Sequence, residues 1–582
     1  RLAGSIAPIR VAGRLTRING LVMEAAGIKL PLGASCRIGA IGGGCVEAEV
    51  VGFHGERIFI EDGDRRIRYA DLPAHVFAVS RALIAHGIAP GDRVAIWAEN
   101  RAEWILAALG IHCAGAAMVP INTRMKGAEA ADIIERSGAR VLFARTDYLD
   151  EARELAATSG ARLIAVAARP EDAAGVDDLP VYPGAERRVT SLSLAGATFE
   201  ARGTEALLIY TSGTTGPPKG VRIDQTNLMA DAWGMATWHG WGDDLCAMCV
   251  LPIHHVNGIV VTHVTPLFVG GRTVLNARFN TRTFWGRVRD EGVHVVSVVP
   301  TLLEFLIDAD RRGLGSPGFA EACPLVLRTV LCGAGPLLVE TALAFEQAFG
   351  VPLTHGYGLS ETTCYNCHMP PDLTTEQRLG WYRDHGFPSI GVPLPLQEMA
   401  ILGPDGAPVP DGERGEICIR GACVSLGYHQ RPDANEQAFR DGWFRSGDEG
   451  FALQDERGRP FFFITGRIKE LIIRGGVNYS PLEIDEVLNA HPAVRYGLAV
   501  PFANRYYGDE VAAYVVPTDG AAPTEDELLA WCRERLDFGK CPKVIVFGDE
   551  VPYTTTGKPM RIELARRLAE TLSAHRDTQF RR

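Results

Sequence analysis

One short segment constrains this chain more than any other: residues 211–221, with the sequence TSGTTGPPKGV. An apolar run at 206–210 precedes it and a strand-like stretch at 221–223 follows it, so the pattern predicts a loop between two strands. Glycines and small hydroxyl side chains leave the backbone N–H groups of such a loop accessible to phosphate oxygens. Lys219 adds a positive charge. The segment therefore predicts a phosphate-binding loop whose natural ligand is a nucleotide triphosphate.

Two other interpretations of this loop have to be weighed. A Walker P-loop requires G-x-x-x-x-G-K-[ST] at the start of a helix, whereas here Gly220 follows Lys219 and two prolines precede the lysine. A surface loop without a ligand is the second interpretation, because Gly, Ser, Thr and Pro are common in many loops. The motifs further along the chain favour a phosphate loop of a different kind.

Composition narrows the classes of function. The chain has 582 residues and a formal net charge of −11, without a long basic run, which argues against nucleic acid as a partner. Neither an apolar stretch of about 18 residues nor a signal-peptide pattern is found, so we expect a cytoplasmic protein with no transmembrane segment. The 13 cysteines include a CxxC at 246–249 and a CxxCH at 364–368. Zinc or haem would use such spacings, but we interpret these residues as reduced cysteines.

From Arg66 onward, apolar residues at helical spacing alternate with short apolar strands, which predicts a mostly parallel sheet with helices on both faces. Residues 386–465 change to short strands and turns, and helices and strands mix again beyond 467. We predict an α/β fold with two main parts. A large domain, 59–466, combines βαβ subdomains with a small β-barrel, and a mobile α+β domain, 467–582, follows it.

Four later motifs bear on the chemistry. A glycine loop, 333–335, follows a strand at 327–332, which is where open α/β sheets bind ligands. THGYGLSETT at 354–363 contains Glu361, a carboxylate suited to Mg²⁺. SGD at 446–448 and GRIKELIIRGG at 466–476 precede a C-terminal TTTGKPMR that contains Lys558.

With these motifs, the loop at 211–221 resembles the signature of the adenylate-forming superfamily: acyl- and aryl-CoA synthetases, peptide-synthetase adenylation domains and beetle luciferases. The resemblance extends over roughly residues 57–570. It implies that Tyr357 stacks on adenine, that Ser360 lies near the α-phosphate and that Glu361 binds Mg²⁺. It also implies that Asp448 holds the ribose hydroxyls and that Arg467 contacts the nucleotide.

The same resemblance implies roles for the C-terminal part. Lys469 is the hinge between domains, the Gly475–Gly476 pair passes close to the pantetheine of CoA, and Lys558 enters the site for adenylation. His255 packs between the acyl pocket and the nucleotide. The expected catalytic residues are Lys558, Glu361, Thr211, Lys219 and His255, with Glu361 and Thr211 at the metal. The expected nucleotide- and CoA-binding residues are Ser212, Gly213, Thr214, Thr215, Gly216, Gly333, Ala334, Gly335, Tyr357, Gly358, Ser360, Asp448, Arg467, Lys469, Gly475 and Gly476.

The implied function is an ATP-dependent acid–CoA ligase that uses ATP, Mg²⁺ and coenzyme A on a hydrophobic acid, as in fatty acid and lipid metabolism. The chain could act alone or as a homodimer. Three alternatives stay open. An acyl-AMP ligase or adenylation domain would load a carrier protein, and a luciferase-type oxygenase uses the same first step. The chain could also be a flagellar-apparatus interaction protein with an inactive synthetase body.

Residues 1–58 have a different character. Their stretches GRLTRINGLVMEAAG, LPLGASCRI and VEAEVVGF resemble the N-terminal β-barrel of the flagellar export ATPases. The catalytic domain of those ATPases does not follow, so the resemblance implies no ATPase activity. We expect a short β-barrel segment joined by natural fusion, by engineering or by a gene-model artefact. A passenger without catalytic role is the favoured interpretation, and docking of a protein partner is the alternative.

Overall fold

The computed structural model describes residues 14–19, 22–26, 35–39, 45–49, 57–125, 127–145, 149–166, 177–178, 203–211, 218–314, 326–553 and 559–580. Elements are numbered in chain order. Four strands before residue 50 form two separate antiparallel hairpins, β1 with β2 and β3 with β4. Their bounds are Arg14–Asn19, Val22–Ala26, Ser35–Gly39 and Cys45–Glu49. The barrel predicted for 1–58, and its relation to flagellar ATPases, stay predictions.

A seven-stranded sheet has the order β11-β10-β9-β7-β8-β12-β13, and all neighbours are parallel except β12 and β13. Along β7, Val94 and Ile96 belong to one hydrophobic core and Ala95 and Trp97 to another. The sheet is thus covered on both faces, as the alternating helix and strand pattern predicts. Its strands are β7 Arg93–Trp97, β8 Ala117–Pro120, β9 Val141–Arg145, β10 Arg162–Val166, β11 Asp177–Asp178, β12 Glu205–Thr211 and β13 Lys219–Asp224.

A second, fourteen-stranded sheet has a parallel part, β5-β15-β14-β16-β17-β18, and an antiparallel part that joins it at β19. The antiparallel part, β20 to β25, covers the region for which the sequence predicts a small barrel. The strands are β5 Ile58–Asp62, β6 Arg65–Arg68, β14 Cys246–Cys249, β15 Arg272–Leu275, β16 Val295–Val298, β17 Thr329–Cys332, β18 Leu353–Tyr357, β19 Cys367–His368, β20 Ser389–Pro393, β21 Gln397–Leu402, β22 Gly415–Gly421, β23 Phe439–Arg440, β24 Trp443–Gln454 and β25 Pro460–Arg467.

The C-terminal part forms its own five-stranded sheet, β27-β26-β29-β28 with β30 beside β29, and has its own hydrophobic cores. Its strands are β26 Ile472–Arg474, β27 Val477–Tyr479, β28 Val494–Asn504, β29 Gly508–Pro517 and β30 Val544–Phe547. A mixed α/β chain with a large and a smaller part confirms the predicted fold class. Mobility of the smaller part, and the boundaries at 58 and 466, stay predictions.

Helices lie between these strands. They are α1 Leu72–Ala85, α2 Ala102–Cys113, α3 Gly127–Ser137, α4 Leu149–Ser159, α5 Gln225–His239, α6 Val256–Ile259, α7 Thr265–Val269, α8 Thr281–Asp290, α9 Pro300–Arg311, α10 Val339–Phe349, α11 Thr375–Arg383, α12 Pro432–Ala438, α13 Pro481–Asn489, α14 Glu525–Arg535 and α15 Arg561–Ser573. None of the described helices is long and apolar enough to cross a membrane.

Helix α5 shows how local sequence sets an element that supports the site. Asp224 caps its first turn: the side chain accepts a 2.8 Å hydrogen bond from the Asn227 N–H, and the Asn227 side chain accepts one from the Asp224 N–H. Gly240 ends the helix with φ of +65°, a conformation that glycine adopts without strain. The helix therefore begins directly after β13, at the end of that strand opposite the predicted phosphate loop.

The cysteines of the CxxC and CxxCH spacings lie in strands or in buried turns. Cys246 and Cys249 are buried in β14, and burial raises their pKa to about 11 and about 12. Cys364 and Cys367 are buried as well. Among the described residues, no group of three or more His, Cys, Asp or Glu side chains is placed to hold a metal ion. The thiols are thus protonated and packed as small apolar groups.

Buried neutral histidines predict acid sensitivity of the fold. His263 and His355 are each 5 % exposed, and burial lowers their pKa to about 3 and about 4. An unfolded histidine titrates near pH 6.5, so below that pH the unfolded chain binds more protons than the folded chain. We expect the thermal midpoint of unfolding to fall between pH 6.5 and pH 4, with up to about 1.4 kcal/mol lost per pH unit for each histidine.

Two variants test this expectation. His355→Asn keeps a donor for the Ser389 carbonyl, which lies 2.9 Å from Nδ1, but does not titrate, so the midpoint should depend less on pH. His385→Asn, at an exposed histidine, controls for the exchange of an imidazole for an amide. An unchanged slope in His355→Asn would contradict the assignment.

Candidate active site

The structure describes the two ends of the predicted phosphate loop. Strands β12 and β13 pair with Thr211 opposite Lys219, and the Thr211 hydroxyl donates to the Lys219 carbonyl across 3.4 Å. The hairpin therefore determines where the loop leaves and re-enters the sheet. The residues between lie outside the described ranges, and the phosphate-binding roles of five of them stay predictions: Ser212, Gly213, Thr214, Thr215 and Gly216.

Lys219 and Glu361 meet through a tyrosine. The Lys219 Nζ lies 4.2 Å from the centre of the Tyr428 ring, which is a cation–π contact. The Tyr428 hydroxyl donates a 2.7 Å hydrogen bond to Glu361 Oε1. Glu361 is 9 % exposed, so this bond orients a carboxylate that is nearly removed from water. Lys219 and Glu361, which lie far apart in the chain, thus belong to one cluster with Tyr428.

Tyr428 reaches this place because its segment pairs with the edge of β13. The His429 N–H donates to the Gly220 carbonyl at 2.7 Å, and the Arg222 N–H donates to the Gly427 carbonyl at 2.9 Å. Val221 and Tyr428 form an isolated bridge between these two bonds. On the other side, the Ser425 N–H donates to the Glu361 carbonyl at 2.9 Å. The segment 425–429 therefore joins the phosphate hairpin to the Glu361 turn.

Positive charge surrounds Glu361. Burial lowers the pKa of Lys219, the Glu361 carboxylate opposes this shift, and the charges of Arg431, Lys469 and Arg467 lower the pKa further. These cations are therefore close enough to repel one another at neutral pH. A concentration of cations beside one carboxylate is suited to a triphosphate with its metal ion.

A second cluster links the strand that ends in the THGYGLSETT motif to the hinge. The Tyr357 hydroxyl donates a 2.6 Å hydrogen bond to Asp448 Oδ2, and Arg467 Nε lies 2.8 Å from Asp448 Oδ1. Burial and the nearby Asp448 charge raise the pKa of Tyr357, and the Asp448 charge raises the pKa of Arg467. The structure brings these three predicted residues together. Binding of ribose and adenine by them stays a prediction.

Packing explains why some of the predicted nucleotide-binding positions are glycines. A Cβ on Gly333 would lie 2.7 Å from the Tyr365 hydroxyl, and a Cβ on Gly358 would lie 1.6 Å from the Cys364 carbonyl oxygen. Ala334, between two glycines, has φ of +62°. A Cβ on Gly335, in contrast, would lie 3.4 Å from Pro300. Gly333 and Gly358 are thus required for the fold of the loop, independently of any ligand.

Ser360 opens the short 3₁₀ turn, Ser360–Thr362, that also contains Glu361, and its side chain is half-buried. His255 directly precedes α6 and its ring centre lies 4.4 Å from that of His254. Burial lowers the pKa of His254, and the neighbouring His255 and Arg124 lower it further. His255 therefore lies beside a neutral imidazole, at the start of the helix that carries Asn257.

Asn257 connects two segments of the site. Its Nδ2 donates a 3.1 Å hydrogen bond to the Tyr365 hydroxyl, the same atom that approaches Gly333. Asn257 is 8 % exposed and Tyr365 2 % exposed. The pair links the His255 segment to the glycine loop, which the sequence places far apart.

The predicted hinge and CoA segments lie at the start of the C-terminal sheet. Lys469 is exposed in the 3₁₀ turn Ile468–Glu470. Gly475 and Gly476 form the turn between β26 and β27 with φ of +59° and +82°, and a Cβ on either would meet no atom within 4 Å. The open space beside this turn agrees with a segment along which a thin ligand could pass, and the CoA role stays a prediction.

Lys558 lies outside the described residues, so its catalytic role stays a prediction. Its segment is flanked by a bridge between Tyr553 and Pro559. Just beyond, the buried Arg561 pairs with Asp485 of α13, with 2.5 Å between Nη2 and Oδ2, and lies 3.6 Å from Glu470 beside the hinge. The start of α15 is therefore attached to α13 and to the turn that carries Lys469.

The donor set fits Mg²⁺ bound together with a nucleotide. Mg²⁺ in proteins is typically held by one or two carboxylates and by substrate phosphates, and keeps several waters. Glu361 offers one oriented carboxylate next to the ends of the phosphate hairpin. The Thr211 hydroxyl at the loop entrance is the other predicted oxygen ligand.

Sequence reasoning missed Tyr428, and it assigned no individual role to Asn257 or Tyr365. An aromatic residue after glycine in GYHQRPDAN was the available signal for Tyr428, but only the pairing with β13 places it between Lys219 and Glu361. Asn257 and Tyr365 each lie within two to four residues of a predicted site residue, His255 or Glu361.

Comparison with known proteins identifies the family of the chain. The pattern of the family described as AMP-binding enzyme matches residues 47–429, and that of the AMP-binding enzyme C-terminal domain matches residues 483–558. The chain belongs to the AMP-binding enzymes. The adenylate-forming resemblance of the sequence is thereby confirmed, and the flagellar resemblance of the first 58 residues is not addressed.

Three relatives of this AMP-binding enzyme illustrate the similarity. A sulfoacetate–CoA ligase of Cupriavidus necator is 33 % identical over 504 residues, which are 86 % of this chain and 93 % of the relative. A feruloyl-CoA synthase of an Amycolatopsis species is 32 % identical over 508 residues, 87 % of this chain and 95 % of the relative. The crystal structure of ATP-bound MatB from Rhodopseudomonas palustris superimposes with a TM-score of 0.76 at 27 % identity, covering 89 % of this chain and 97 % of that one.

This AMP-binding enzyme is therefore an acid–thiol ligase, of a class that uses ATP, Mg²⁺ and coenzyme A. The predicted reaction class and cofactors are confirmed. The predicted acid, the homodimer and the cytoplasmic location stay predictions.

Tyr428→Phe tests the cluster around Glu361. The phenylalanine keeps a ring for Lys219 but removes the hydrogen bond to the carboxylate, and such bonds to charged groups contribute about 1.5–3 kcal/mol. We expect kcat/KM for ATP to fall about tenfold or more, and the Mg²⁺ concentration for half-maximal rate to rise. Tyr506→Phe removes a hydroxyl from a 51 % exposed tyrosine and is the control. Equal kinetics of the two variants would show that the Tyr428 hydroxyl does not orient Glu361.

Proposed function

We propose that this enzyme activates a hydrophobic carboxylic acid, whether fatty, aryl or alicyclic, and transfers the acyl group to coenzyme A. In the first step a carboxylate oxygen of the acid attacks the α-phosphorus of ATP, and the bond to pyrophosphate breaks. In the second step the thiol attacks the acyl carbonyl, a thioester forms and AMP leaves. AMP is a far better leaving group than oxide, which is why activation precedes transfer.

The observation that carries the proposal is the meeting of Lys219, Tyr428 and Glu361 at the open end of the phosphate hairpin. Phosphoryl transfer requires little covalent participation by a protein, and depends on positioning and on neutralising charge at the phosphate. Lys219 and Arg467 supply positive charge there, and Glu361 supplies a carboxylate for the metal ion. Mg²⁺, when bound, offsets the charge of the pyrophosphate that leaves.

Several neighbours support a hydrophobic acid. Ile259 and Tyr365 belong to one apolar core with Cys364, and Val256 packs against that core. His255 lies in the same segment, between Ile253 and Val256. A pocket bounded by such side chains favours an apolar or aromatic acyl group. The relative named as a feruloyl-CoA synthase agrees with an aryl acid, whereas the one named as a sulfoacetate–CoA ligase points to a small anionic acid.

A pyrophosphate-release screen tests the proposed activity. We expect release only when ATP, Mg²⁺ and a suitable acid are all present, and AMP with thioester only when CoA is added. The panel contains short, medium and long-chain fatty acids, aryl acids, alicyclic acids and sulfoacetate. Preference for sulfoacetate would contradict the hydrophobic acid, and release without thioester in the presence of CoA would favour an acyl-AMP ligase that loads a carrier protein.

Lys558→Ala tests whether Lys558 serves only the first of the two half-reactions. We expect the variant to lose adenylation by about 100-fold or more, because a positive charge at the α-phosphate is removed, and to convert supplied acyl adenylate to thioester at nearly the rate of the unaltered enzyme. The two half-reactions are measured separately, as pyrophosphate release and as CoA-dependent AMP release. Equal loss in both would contradict a role confined to adenylation. Lys540→Ala, at a surface lysine paired with Glu483, is the matched control.

A further inference from the structure

The turn that follows Glu361 is strained. Thr363 has φ of +71° and ψ of −65°, an uncommon conformation for any residue other than glycine and an outlier for a β-branched side chain. The Cys364 N–H donates a 2.9 Å hydrogen bond to the Thr362 carbonyl, which closes a three-residue γ-turn around Thr363. Such conformations persist only where the surrounding structure imposes them, and they are concentrated at functional sites.

Two segments impose this conformation. From the loop after β22, the Cys423 carbonyl accepts a 2.7 Å hydrogen bond from the Thr363 hydroxyl. From the middle of α5, Asp231 Oδ2 accepts a hydrogen bond from the Tyr365 N–H at 3.2 Å, and the Cys364 N–H lies beside the same carboxyl. The turn is thus held on both sides by groups that do not belong to the THGYGLSETT motif.

Asp231 is an unusual residue for the inside of a helix. It is 1 % exposed, and within the described part of the chain its second oxygen, Oδ1, has no hydrogen-bond partner. Burial raises the pKa of Asp231 well above its usual value, although the two N–H donors lower it. Removing a carboxyl from water is unfavourable unless its hydrogen bonds compensate, so the bond to the Tyr365 N–H gives a reason for an acid at this position.

The clamped turn connects two parts of the active site. On one side of it is Glu361, whose carbonyl is held by the Ser425 N–H and whose carboxylate is held by Tyr428. On the other side is Tyr365, whose hydroxyl contacts Asn257. Only three residues separate Glu361 from Tyr365, so a change in the backbone at Thr363 moves one relative to the other.

We propose that Asp231 is a positioning residue: through its hydrogen bond to the Tyr365 N–H it holds the Thr363 turn, and the turn keeps Glu361 aligned for Mg²⁺·ATP and Tyr365 aligned for the acid. The inference rests on the proposed function for the roles of Glu361 and Tyr365. Asp231 itself touches neither substrate.

Two matched substitutions at Asp231 separate the effect of the hydrogen-bond acceptor from the effect of side-chain volume. Asp231→Asn keeps a side-chain carbonyl acceptor, and we expect kcat and the Mg²⁺ requirement within about threefold of the unaltered enzyme. Asp231→Leu has a similar shape without an acceptor, and we expect kcat about 10- to 100-fold lower and a several-fold higher Mg²⁺ requirement. Val288→Ala, a buried cavity variant in α8, lowers stability elsewhere and should leave both kinetic quantities unchanged.

Thr363 gives a second test if Asp231→Leu does not fold. Thr363→Ala keeps the strained backbone and loses the bond to Cys423, whereas Thr363→Gly loses the same bond but adopts the turn without strain. We expect Thr363→Gly to retain several-fold more activity and tighter Mg²⁺·ATP binding than Thr363→Ala. Equal behaviour of the two variants would overturn the proposal, as would a folded Asp231→Leu with unchanged kinetics.

Binding of Mg²⁺·ATP, measured by calorimetry on the full chain without any acid, makes the outcome independent of the acid. If no acid in the panel gives pyrophosphate, the proposed function fails. Weakened Mg²⁺·ATP binding in Asp231→Leu and Thr363→Ala would still support the positioning role of Asp231. Unaltered binding in both, with lowered thermal stability as the one change they share with Val288→Ala, would overturn the proposal and leave Asp231 a structural role alone.

Discussion

The hydrogen bond from Tyr428 to Glu361 is the interaction on which the rest of the site depends. It joins a carboxylate at the end of the parallel sheet to a segment of the antiparallel part, and the ring of the same tyrosine receives the Lys219 ammonium. Without that ring, a buried carboxylate and a half-buried lysine would lie near one another without a group to fix their geometry. Because one tyrosine contacts both side chains, the phosphate hairpin and the Glu361 carboxylate have a defined relative position.

The larger architecture serves to bring these segments together. Strands β12 and β13 lie at the edge of the seven-stranded sheet, and β18 lies within the fourteen-stranded sheet, so the two sheets meet at the site. The segment 425–429 bridges them by pairing with β13 on one side and with Glu361 on the other. Helix α5, which begins directly after β13, extends inward to Asp231 and supports the turn after Glu361. Local caps and register thus determine the position of atoms from distant parts of the chain.

Polar contacts link the C-terminal part to the large domain near the hinge. Arg414 of the large domain pairs with Glu483 of α13, and the Ser480 hydroxyl donates to the Thr465 carbonyl. Glu486 of α13 lies at the first turn of α10, and burial raises its pKa to about 7. Interfaces built from charges and from a carboxyl that is close to titration are suited to rearrangement, since their groups are also well solvated when apart. Such an interface agrees with the resemblance-based expectation of a C-terminal domain that reorients about Lys469.

The sequence by itself determined the fold class and the reaction class, because the phosphate loop, THGYGLSETT, SGD and the GRIK hinge are contiguous patterns whose chemistry can be read locally. It also predicted Lys219, Glu361, Tyr357, Asp448 and Arg467 as site residues, whose roles stay predictions. The tertiary structure alone decided which residues join them. Tyr428, Asn257, Tyr365 and Asp231 act through contacts between segments separated by tens to hundreds of residues, and no local periodicity encodes such contacts. It also showed that Gly333 and Gly358 are required by packing. Pairing and packing between distant elements, not spacing along the chain, set the geometry of this site.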